Sequence, residues 1–427
     1  MDVARTLLVT VTGRDRPGVT HALFDELSAY DVEVVDVEQV VIRGRLMLCL
    51  LVTAGGDEGS LRAAVHTRAA QLGMDAEVMS GVGDNRPRRQ GRSHVTVIGN
   101  PLRPAAMGGI AGRVAACGGN IDRIVRLAKY PVTCLELDVS GVEPERLQAE
   151  LAAEAVARRV DVAVQRAGLH RRAKRLVVMD VDSTLVQGEV IEMLADRAGC
   201  AGEVARVTDA AMRGDLDFGE SLRARVALLE GLDVSVLDEV RRLIRLTPGA
   251  RTLVRTLKRL GYQVAIVSGG FTQVIDGLAE QLGIDYRAAN TLEAGDGRLT
   301  GRLVGPLIDR AGKAEALERF ARAAGVPVSQ TVAIGDGAND LDMLERAGMG
   351  VAFNAKPLVR EAADASVSVP YLDAILYLLG VTREEVETAD AEDSTPAGAE
   401  VPGLGAGEPG GRGHGVRESE RPGARSH

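Results

Sequence analysis

An apolar run that ends in two closely spaced carboxylates is the feature that most constrains this chain. The run Val177–Asp182 (VVMDVD) has the composition of a buried parallel strand, and ligands collect where such strands end. Residues i and i+2 of a strand lie on the same side, so Asp180 and Asp182 are expected to share one site. An Asp after a strand also makes ordinary turns or caps a helix, which is the alternative. The pair is predicted to be a reaction centre for phosphoryl chemistry.

Two later segments offer groups that bind phosphate. The strand-like run 264–270 ends in the hydroxyl of Ser268 and the flexible amide of Gly269, which can wrap phosphate oxygens. Lys313 precedes an Ala/Glu/Leu-rich helix, and its ammonium could neutralise phosphate charge. A lone lysine at a helix start is also an ordinary surface residue.

A fourth segment offers oxygen ligands for a metal ion. The buried-strand pattern from Thr331 is followed by a Gly-punctuated turn that carries Asp336, Asn339 and Asp340. Hard cations take oxygen ligands, and carboxylates supply the compensating charge. This segment therefore predicts a magnesium site.

In this order the four segments resemble the haloacid dehalogenase superfamily of phosphotransferases, with its DxDx[TV], Ser/Thr, Lys and GDxxxD motifs. The resemblance covers roughly residues 175–380. It implies an α/β fold, a Rossmann-like parallel-sheet core with a helical cap. It also implies that Asp180 is the nucleophile that forms an aspartyl-phosphate, and that Asp182 is the proton donor and then acceptor. A transferase would use the same residues, so that activity stays open.

The same resemblance implies the ligands. Mg²⁺, with Mn²⁺ as a possible substitute, is expected on Asp180, Asp336 and the backbone carbonyl of Asp182, and Asp340 either binds it directly or orients the site. The groups expected to hold the phosphate or its bound water are polar or cationic: Ser268, the Gly269 amide, Lys313 and Asn339.

Two stretches upstream repeat one pattern. Residues 5–80 and 93–166 each follow the order β-α-β-β-α-β, with a basic stretch at 86–92 between them. This order is ferredoxin-like, and Gly13–Val19 (GRDRPGV) resembles the opening of an ACT domain. The resemblance implies amino-acid binding at domain interfaces and pairing of two chains as a homodimer.

Two glycines are the candidate regulatory positions of the repeats. Gly18 and Gly108 could each let a ligand approach the N-terminus of a helix, or each could only permit a tight turn. The second copy departs from the ACT pattern at 99–104, so its ligand site is expected to be altered or lost. L-serine is the expected effector, as the end product of a biosynthetic step.

About eighty residues separate the first two catalytic motifs, more than a crossover helix requires. Their helix-compatible apolar spacing predicts a helical cap over the site at about 185–246. A cap of this kind would exclude water during the chemistry.

Four residues of the predicted cap narrow the choice of substrate: Glu189, Met212, Phe218 and Arg225. Their offsets resemble the cap of phosphoserine phosphatases, which implies O-phospho-L-serine as substrate, with Glu189 facing its ammonium and Arg225 its carboxylate. Exposed Glu and Arg usually just face water, and Met212 and Phe218 could be plain core residues. Two rival functions are an amino-acid sensor with an inert phosphatase-like domain, and a phosphatase that acts on other small phosphates or phosphoproteins.

Composition excludes other classes. The net charge of -9 and the few aromatic residues predict no nucleic-acid partner, and the longest apolar runs are too short for a membrane span. Four widely spaced cysteines are typical of a reduced, cytoplasmic protein. Two short basic clusters, at 88–92 and 171–175, are predicted to be solvated linkers.

The predicted boundaries follow from these patterns. They are two ACT-like domains at 1–84 and 93–168, a linker at 85–92, a phosphatase domain at 169–386 and a tail at 387–427. Within the phosphatase domain, 174–184 and 247–386 form the core and about 185–246 the cap. The tail is rich in Gly, Pro, Glu and Arg, has no aromatic residue, and is predicted to be disordered.

Overall fold

The chain divides into two compact units, residues 1–91 and 92–427. The computed structural model describes residues 5–54, 56–82, 91–212 and 216–394. Within these ranges, every helix is too short or too polar to cross a lipid bilayer.

The first unit is a four-stranded antiparallel sheet with two helices packed on one face. Its elements are β1 (Arg5–Arg14), α1 (Val19–Leu27), β2 (Val34–Ile42), β3 (Arg45–Thr53), α2 (Glu58–Gln71) and β4 (Met74–Val82). The strands lie in the order β2-β3-β1-β4. Side chains alternate between the faces of a strand, so Leu7, Val9 and Val11 of β1 are buried together against the helices. The predicted β-α-β-β-α-β order is confirmed.

The second unit begins with the same arrangement. Its elements are β5 (Ser93–Gly99), α3 (Pro104–Ala116), β6 (Asn120–Ala128), β7 (Thr133–Ser140), α4 (Pro144–Arg158) and β8 (Asp161–Arg166), with sheet order β6-β7-β5-β8. The repeat is confirmed here as well.

The two candidate regulatory glycines differ in their surroundings. Gly18 directly precedes α1 with a φ of +92°, a left-handed conformation that favours glycine. Gly108 lies inside α3, which begins at Pro104 because proline fits the first turn of a helix. The expectation that Gly108 stands at a helix N-terminus is therefore wrong, and a ligand role for Gly18 stays a prediction.

A seven-stranded sheet forms the rest of the second unit, in the order β12-β11-β10-β9-β13-β14-β15. Its strands are β9 (Leu176–Asp180), β10 (Gln263–Phe271), β11 (Tyr286–Gly295), β12 (Arg298–Val304), β13 (Thr331–Gly335), β14 (Gly350–Phe353) and β15 (Ala365–Val367). β9 pairs in parallel with β10 and β13, whereas β12 is antiparallel to β11. The strand that carries Asp180 is thus central, with both faces buried.

Helices flank this sheet and form the cap. In chain order they are α5 (Leu169–Arg172), α6 (Val190–Ala198), α7 (Ala201–Met212), α8 (Phe218–Ala227), α9 (Ser235–Leu243), α10 (Ala250–Arg259), α11 (Thr272–Leu282), α12 (Arg310–Ala323), α13 (Leu341–Arg346), α14 (Pro357–Ala362), α15 (Ile375–Leu378) and α16 (Arg383–Ser394). The predicted helical segment contains α6 to α9. The hairpin of β11 and β12 also belongs to the cap, because Leu292 of β11 and Leu299 of β12 lie in one hydrophobic cluster with Leu222 and Val226. Sequence patterns assign this hairpin to the core.

The second ferredoxin-like sheet packs against the seven-stranded domain. Ile98 and Cys134 share a hydrophobic cluster with Leu376. The carboxylate of Asp161, at the start of β8, accepts a hydrogen bond of 2.6 Å from the amide of Ser368, just after β15. These contacts explain why the two domains form one compact unit.

The basic stretch after the second sheet belongs to this contact. Arg171 is 8% exposed, and its guanidinium donates to the carbonyl oxygens of Leu378 at 2.9 Å and Tyr377 at 2.7 Å and pairs with Glu136. Lys174 is buried too, and burial lowers its pKa to about 8. The predicted solvated linker is therefore wrong for Arg171 and Lys174, because carbonyl groups and Glu136 replace water around the charges.

The last helix extends beyond the predicted phosphatase boundary. α16 continues to Ser394, and Arg259 of α10 contacts Asp390 at 2.6 Å and also pairs with Asp393. The disorder predicted from residue 387 is therefore wrong for 387–394. Residues 395–427 and 83–90 lie outside the described ranges.

Replacing Arg171 tests the contact between the second ferredoxin-like sheet and the core. Arg171→Met should lower the free energy of unfolding by about 3–5 kcal/mol, because it leaves the Glu136 carboxylate, which is only 15% exposed, without its charged partner. Urea unfolding followed by circular dichroism measures the change. The exposed neighbour Arg172 is the matched control, and Arg172→Met should change stability by less than about 0.5 kcal/mol. Equal effects of the two replacements would refute the assignment.

Candidate active site

The two predicted catalytic carboxylates lie at the end of the central strand. Asp180 is the last residue of β9 and is 3% exposed, and Asp182 follows in the turn Val181–Leu185. Both line a cavity of about 670 Å³ between the cap and the sheet. Burial raises the pKa of Asp180 well above its usual value, and the charge of Asp340 adds to the shift.

Asp182 joins the cap to the core. One of its oxygens accepts the amide of Val190, the first residue of α6, at 2.8 Å. The other accepts the hydroxyl of Ser268 at 2.8 Å, and the Ser268 hydroxyl itself accepts the amide of Gly270 at 2.7 Å. Ser268, predicted to bind phosphate, therefore also orients Asp182.

Lys313 is completely buried, so the surface alternative is wrong. Its ammonium lies 2.8 Å from a carboxylate oxygen of Asp180 and 2.7 Å from one of Asp340. Burial alone would lower the pKa of Lys313, but these two carboxylates raise it above its usual value. The side chain is a positive charge held against Asp180, which lines the cavity.

Three carboxylates could hold a cation. Oxygens of Asp180, Asp336 and Asp340 all lie within 4.8 Å of one another. Asp336 accepts the hydroxyl of Thr184 at 2.8 Å, and burial together with the charge of Asp340 raises its pKa to about 6. Two buried acids and the half-buried Asp336 against one lysine leave excess negative charge, and carboxylate oxygens are the donors that Mg²⁺ prefers. The donor set therefore fits the predicted ion.

Asp340 has a different part in this cluster. One of its oxygens faces Lys313, and the other accepts the amides of Asp336 at 3.1 Å and Gly337 at 3.0 Å. Because both oxygens are bonded to protein groups, the geometry favours orientation of the site over direct metal binding.

The predicted cap residues face the same cavity. Glu189, Phe218 and Arg225 line it together with Gly269 and Asn339 of the core. Glu189 accepts the hydroxyl of Ser183 at 3.2 Å, and burial followed by the charge of Asp182 raises its pKa to about 7. Burial lowers the pKa of Arg225, and nearby carboxylates oppose that shift.

Phe218 explains why a glycine follows Ser268. A Cβ built on Gly269 would lie 3.2 Å from the ring of Phe218, so the ring of the cap packs directly over the backbone of the core. Met212 ends α7, and its side chain lies outside the described structure.

The lining residues that sequence patterns missed include Glu192, Ser221, Arg310 and Lys356. Ser221 is 1% exposed, and its hydroxyl has no hydrogen-bond partner among the described residues. Phe218, Ser221 and Arg225 are spaced i, i+3 and i+7, the spacing of one helix face, so the helical period of α8 could have revealed Ser221. Lys356 follows β14, and it reaches the cavity only because β14 lies beside β13 in the sheet, which the sequence does not reveal.

Three family models match the chain. A haloacid dehalogenase-like hydrolase model matches residues 177–345, and two ACT domain models match residues 5–79 and 92–165. These matches agree with the two ferredoxin-like domains and the seven-stranded domain.

Relatives match over nearly the whole length. A phosphoserine phosphatase of Streptomyces coelicolor is 68% identical over 387 residues, which are 90% of this chain and 94% of the relative. The chain belongs to the phosphoserine phosphatase family. A second member, from Mycobacterium tuberculosis, is 54% identical over 405 residues, 93% of this chain and 98% of the relative.

Solved structures support the fold of this phosphatase. A probable phosphoserine phosphatase from Vibrio cholerae is 34% identical, with a TM-score of 0.55, and the match covers 69% of this chain and 88% of that one. A HAD family hydrolase from Salmonella enterica is 26% identical, with a TM-score of 0.59, and covers 67% of this chain and 98% of that one.

Metal binding should depend on pH in a definite direction. The folded-state pKa of Asp336 is about 6 against a usual 3.8, so without metal its stabilising contribution is present below 3.8 and is lost as the pH rises through 6. Mg²⁺ competes with that proton and should raise the unfolding temperature more at about pH 7.5 than at about pH 5.5. Differential scanning calorimetry measures both increments. Asp336→Asn should remove the increment, and a pH-independent increment would contradict the assignment.

Proposed function

We propose that the enzyme hydrolyses O-phospho-L-serine to L-serine and phosphate through an aspartyl-phosphate on Asp180. The observation that carries this proposal is that Asp180 and Asp182 share one cavity with Glu189 and Arg225 of the cap. A phosphorylated amino acid carries a phosphate, an ammonium and a carboxylate. The cavity offers a partner of suitable charge for each.

The reaction needs one nucleophile and one proton carrier. An oxygen of Asp180 attacks phosphorus, the bond from phosphorus to the serine oxygen breaks, and Asp182 gives its proton to the departing alkoxide. Asp182 then takes a proton from the water that attacks the aspartyl-phosphate, which releases phosphate and restores Asp180. The contacts with Val190 and Ser268 hold the Asp182 carboxylate in position for both transfers.

The phosphate is expected to lie at the ends of the parallel strands. Lys313, the Gly269 amide and Asn339 would stabilise the charge on its non-bridging oxygens. Mg²⁺, held by Asp180, Asp336 and the Asp182 carbonyl, would supply further positive charge against the phosphoryl group. Mn²⁺ offers the same chemistry to these oxygen donors.

The cap would recognise the amino-acid part. Ionised Glu189 attracts the ammonium, and Arg225 binds the carboxylate through paired hydrogen bonds. The hydroxyl of Ser221, which has no hydrogen-bond partner among the described residues, lies on the same helix face as Arg225 and is a further donor for that carboxylate. Phe218 over Gly269 closes the apolar side of the cavity.

Phosphate release from L-phosphoserine and phosphoethanolamine tests both halves of the proposal. Asp180→Asn should abolish turnover, because an amide is a poor nucleophile. Arg225→Ala should lower kcat/KM for phosphoserine about 100-fold and leave phosphoethanolamine nearly unchanged, because only the first substrate has a carboxylate.

Arg223 provides the matched control for Arg225, because it is exposed on the same helix and does not line the cavity. Arg223→Ala should keep both activities. Comparable turnover of the two substrates by the unmodified enzyme would keep the phosphatase mechanism and reject amino-acid recognition. No turnover of either would reject both.

The ACT domains supply the regulatory part of the proposal. L-serine would bind near Gly18, where the backbone is left-handed before a helix, and two chains would pair as a homodimer. Deletion of residues 1–91 removes a separate compact unit, whereas truncation near Arg171 would uncover the apolar cluster around Ile98 and Cys134.

The shorter deletion is therefore the test of regulation. The chain from residue 92 onward should keep phosphatase activity and lose inhibition by L-serine at concentrations that inhibit the full chain. Initial rates at increasing L-serine measure this, with L-alanine as the control amino acid. Identical inhibition curves for the two chains would show that serine does not act through residues 1–91.

A further inference from the structure

A second cavity lies where the cap returns to the core. Its volume is about 650 Å³, and it shares no lining residue with the active-site cavity. Its walls come from α9 and the segment after it, from the first turn of α10 and from α11. It is therefore a distinct feature of the second unit.

Positive charge distinguishes this cavity, which we call the arginine cavity. Its charged lining residues are Arg241, Arg242, Arg245 and Arg251, and the described lining includes no Asp or Glu. Arg241 is held by Asp238 and by the carbonyl of Gln273. Within the described ranges the other three arginines have no carboxylate within ion-pair distance. In a chain of net charge -9, four arginines converge here, and among the described residues only Arg241 has an ion-paired carboxylate.

The shape of the floor is a second, independent observation. Gly277 lies in the middle of α11, where glycine destabilises a helix relative to alanine. Its φ is not positive, and a Cβ built there meets nothing within 4 Å, so neither backbone conformation nor packing requires glycine. The missing side chain keeps the floor open beside Val274 and Leu278.

We propose that the arginine cavity binds a chain of two or more phosphate groups, free or carried by a small molecule such as a nucleotide. A guanidinium group can bind phosphate through two parallel hydrogen bonds, and it keeps its charge at every physiological pH. The volume falls within the range of small-molecule sites, and the aliphatic floor can pack against an uncharged body attached to the phosphates.

The site lies on the connection between cap and core. The carbonyl of Arg245 accepts the amide of Gln187 at 2.8 Å, and Leu246 forms a bridge with Val186. This pair of segments leads directly into the turn that carries Asp182. A bound polyphosphate would therefore contact the segment through which the cap joins the core.

Isothermal titration calorimetry of the full chain in metal-free buffer tests the proposal, with ATP and inorganic tripolyphosphate as probes. Saturable binding of one molecule per chain is expected. Equal affinities would mean that the phosphates alone are recognised, and tighter ATP binding would mean that the attached body contributes. Either result supports the site. If neither probe binds saturably, the proposal is overturned.

Two kinds of variant separate the contribution of charge to polyphosphate binding from the contribution of the shape of the cavity. Arg242→Gln with Arg245→Gln should weaken binding about tenfold or more by removing two guanidinium groups. Gly277→Leu should weaken it similarly by filling the floor without changing the charge. Thermal unfolding and phosphatase activity without polyphosphate confirm that each variant is folded.

The matched charge control is Arg146→Gln with Arg322→Gln, two exposed arginines outside the cavity. It should bind as the unmodified chain does. Equal weakening by this control would show that only net charge matters. Unchanged binding in both cavity variants would show that the polyphosphate binds elsewhere, the active site included, and would refute the proposal.

Discussion

The buried ammonium of Lys313 is the interaction on which the rest of the active site depends. It reaches from α12 to Asp180 at the end of β9 and to Asp340 after β13, at 2.8 and 2.7 Å. Three elements that are far apart in the sequence are held at one point by this charge. Burial and the charge of Asp340 raise the pKa of Asp180, and the charge of Lys313 opposes that rise, so its loss would favour a proton on Asp180 still further. A protonated Asp180 would be a poor nucleophile.

A second junction makes the cap part of the catalytic unit. Asp182 accepts hydrogen bonds from Val190 in the cap and from Ser268 in the core, so displacement of the cap would disturb the proposed proton carrier itself. The ring of Phe218 over Gly269 forms an apolar contact across the same boundary. The proposed recognition of substrate by Glu189 and Arg225 and the proposed proton transfer by Asp182 would thereby be coupled through one short segment, and a closed cap would also exclude water from the reaction.

The motifs predicted the catalytic centre because phosphoryl chemistry demands few residue types, and strand ends bring them together whatever the surrounding sequence. Asp180 and Asp336 came together as expected for this reason, and Lys313 reaches Asp180 from the first turn of α12. Phosphate binding by Ser268 stays a prediction, and its hydrogen bond to Asp182 was not foreseen, because a motif gives position and not hydrogen-bond partners. Ser221 was missed because the helical spacing of α8 was not used to find the residues that share a face with Arg225. Lys356 was missed because it lies in a loop far away in the sequence. The prediction that Arg171 is solvated was wrong, because the carbonyl groups that accept its hydrogen bonds belong to α15, about 200 residues later in the chain.

The sequence by itself determined the repeated β-α-β-β-α-β domains, the parallel-sheet domain with its helical cap, and the identity of the acids and the lysine, because periodicity and motif order are local properties. Tertiary structure alone decided that Lys313 is buried between two acids, that the hairpin β11–β12 joins the cap core, that the second ACT domain packs on the phosphatase domain, and that α16 extends to Ser394. Each of these depends on contacts between residues far apart in the chain, and burial is set by what packs against a residue rather than by its neighbours in sequence.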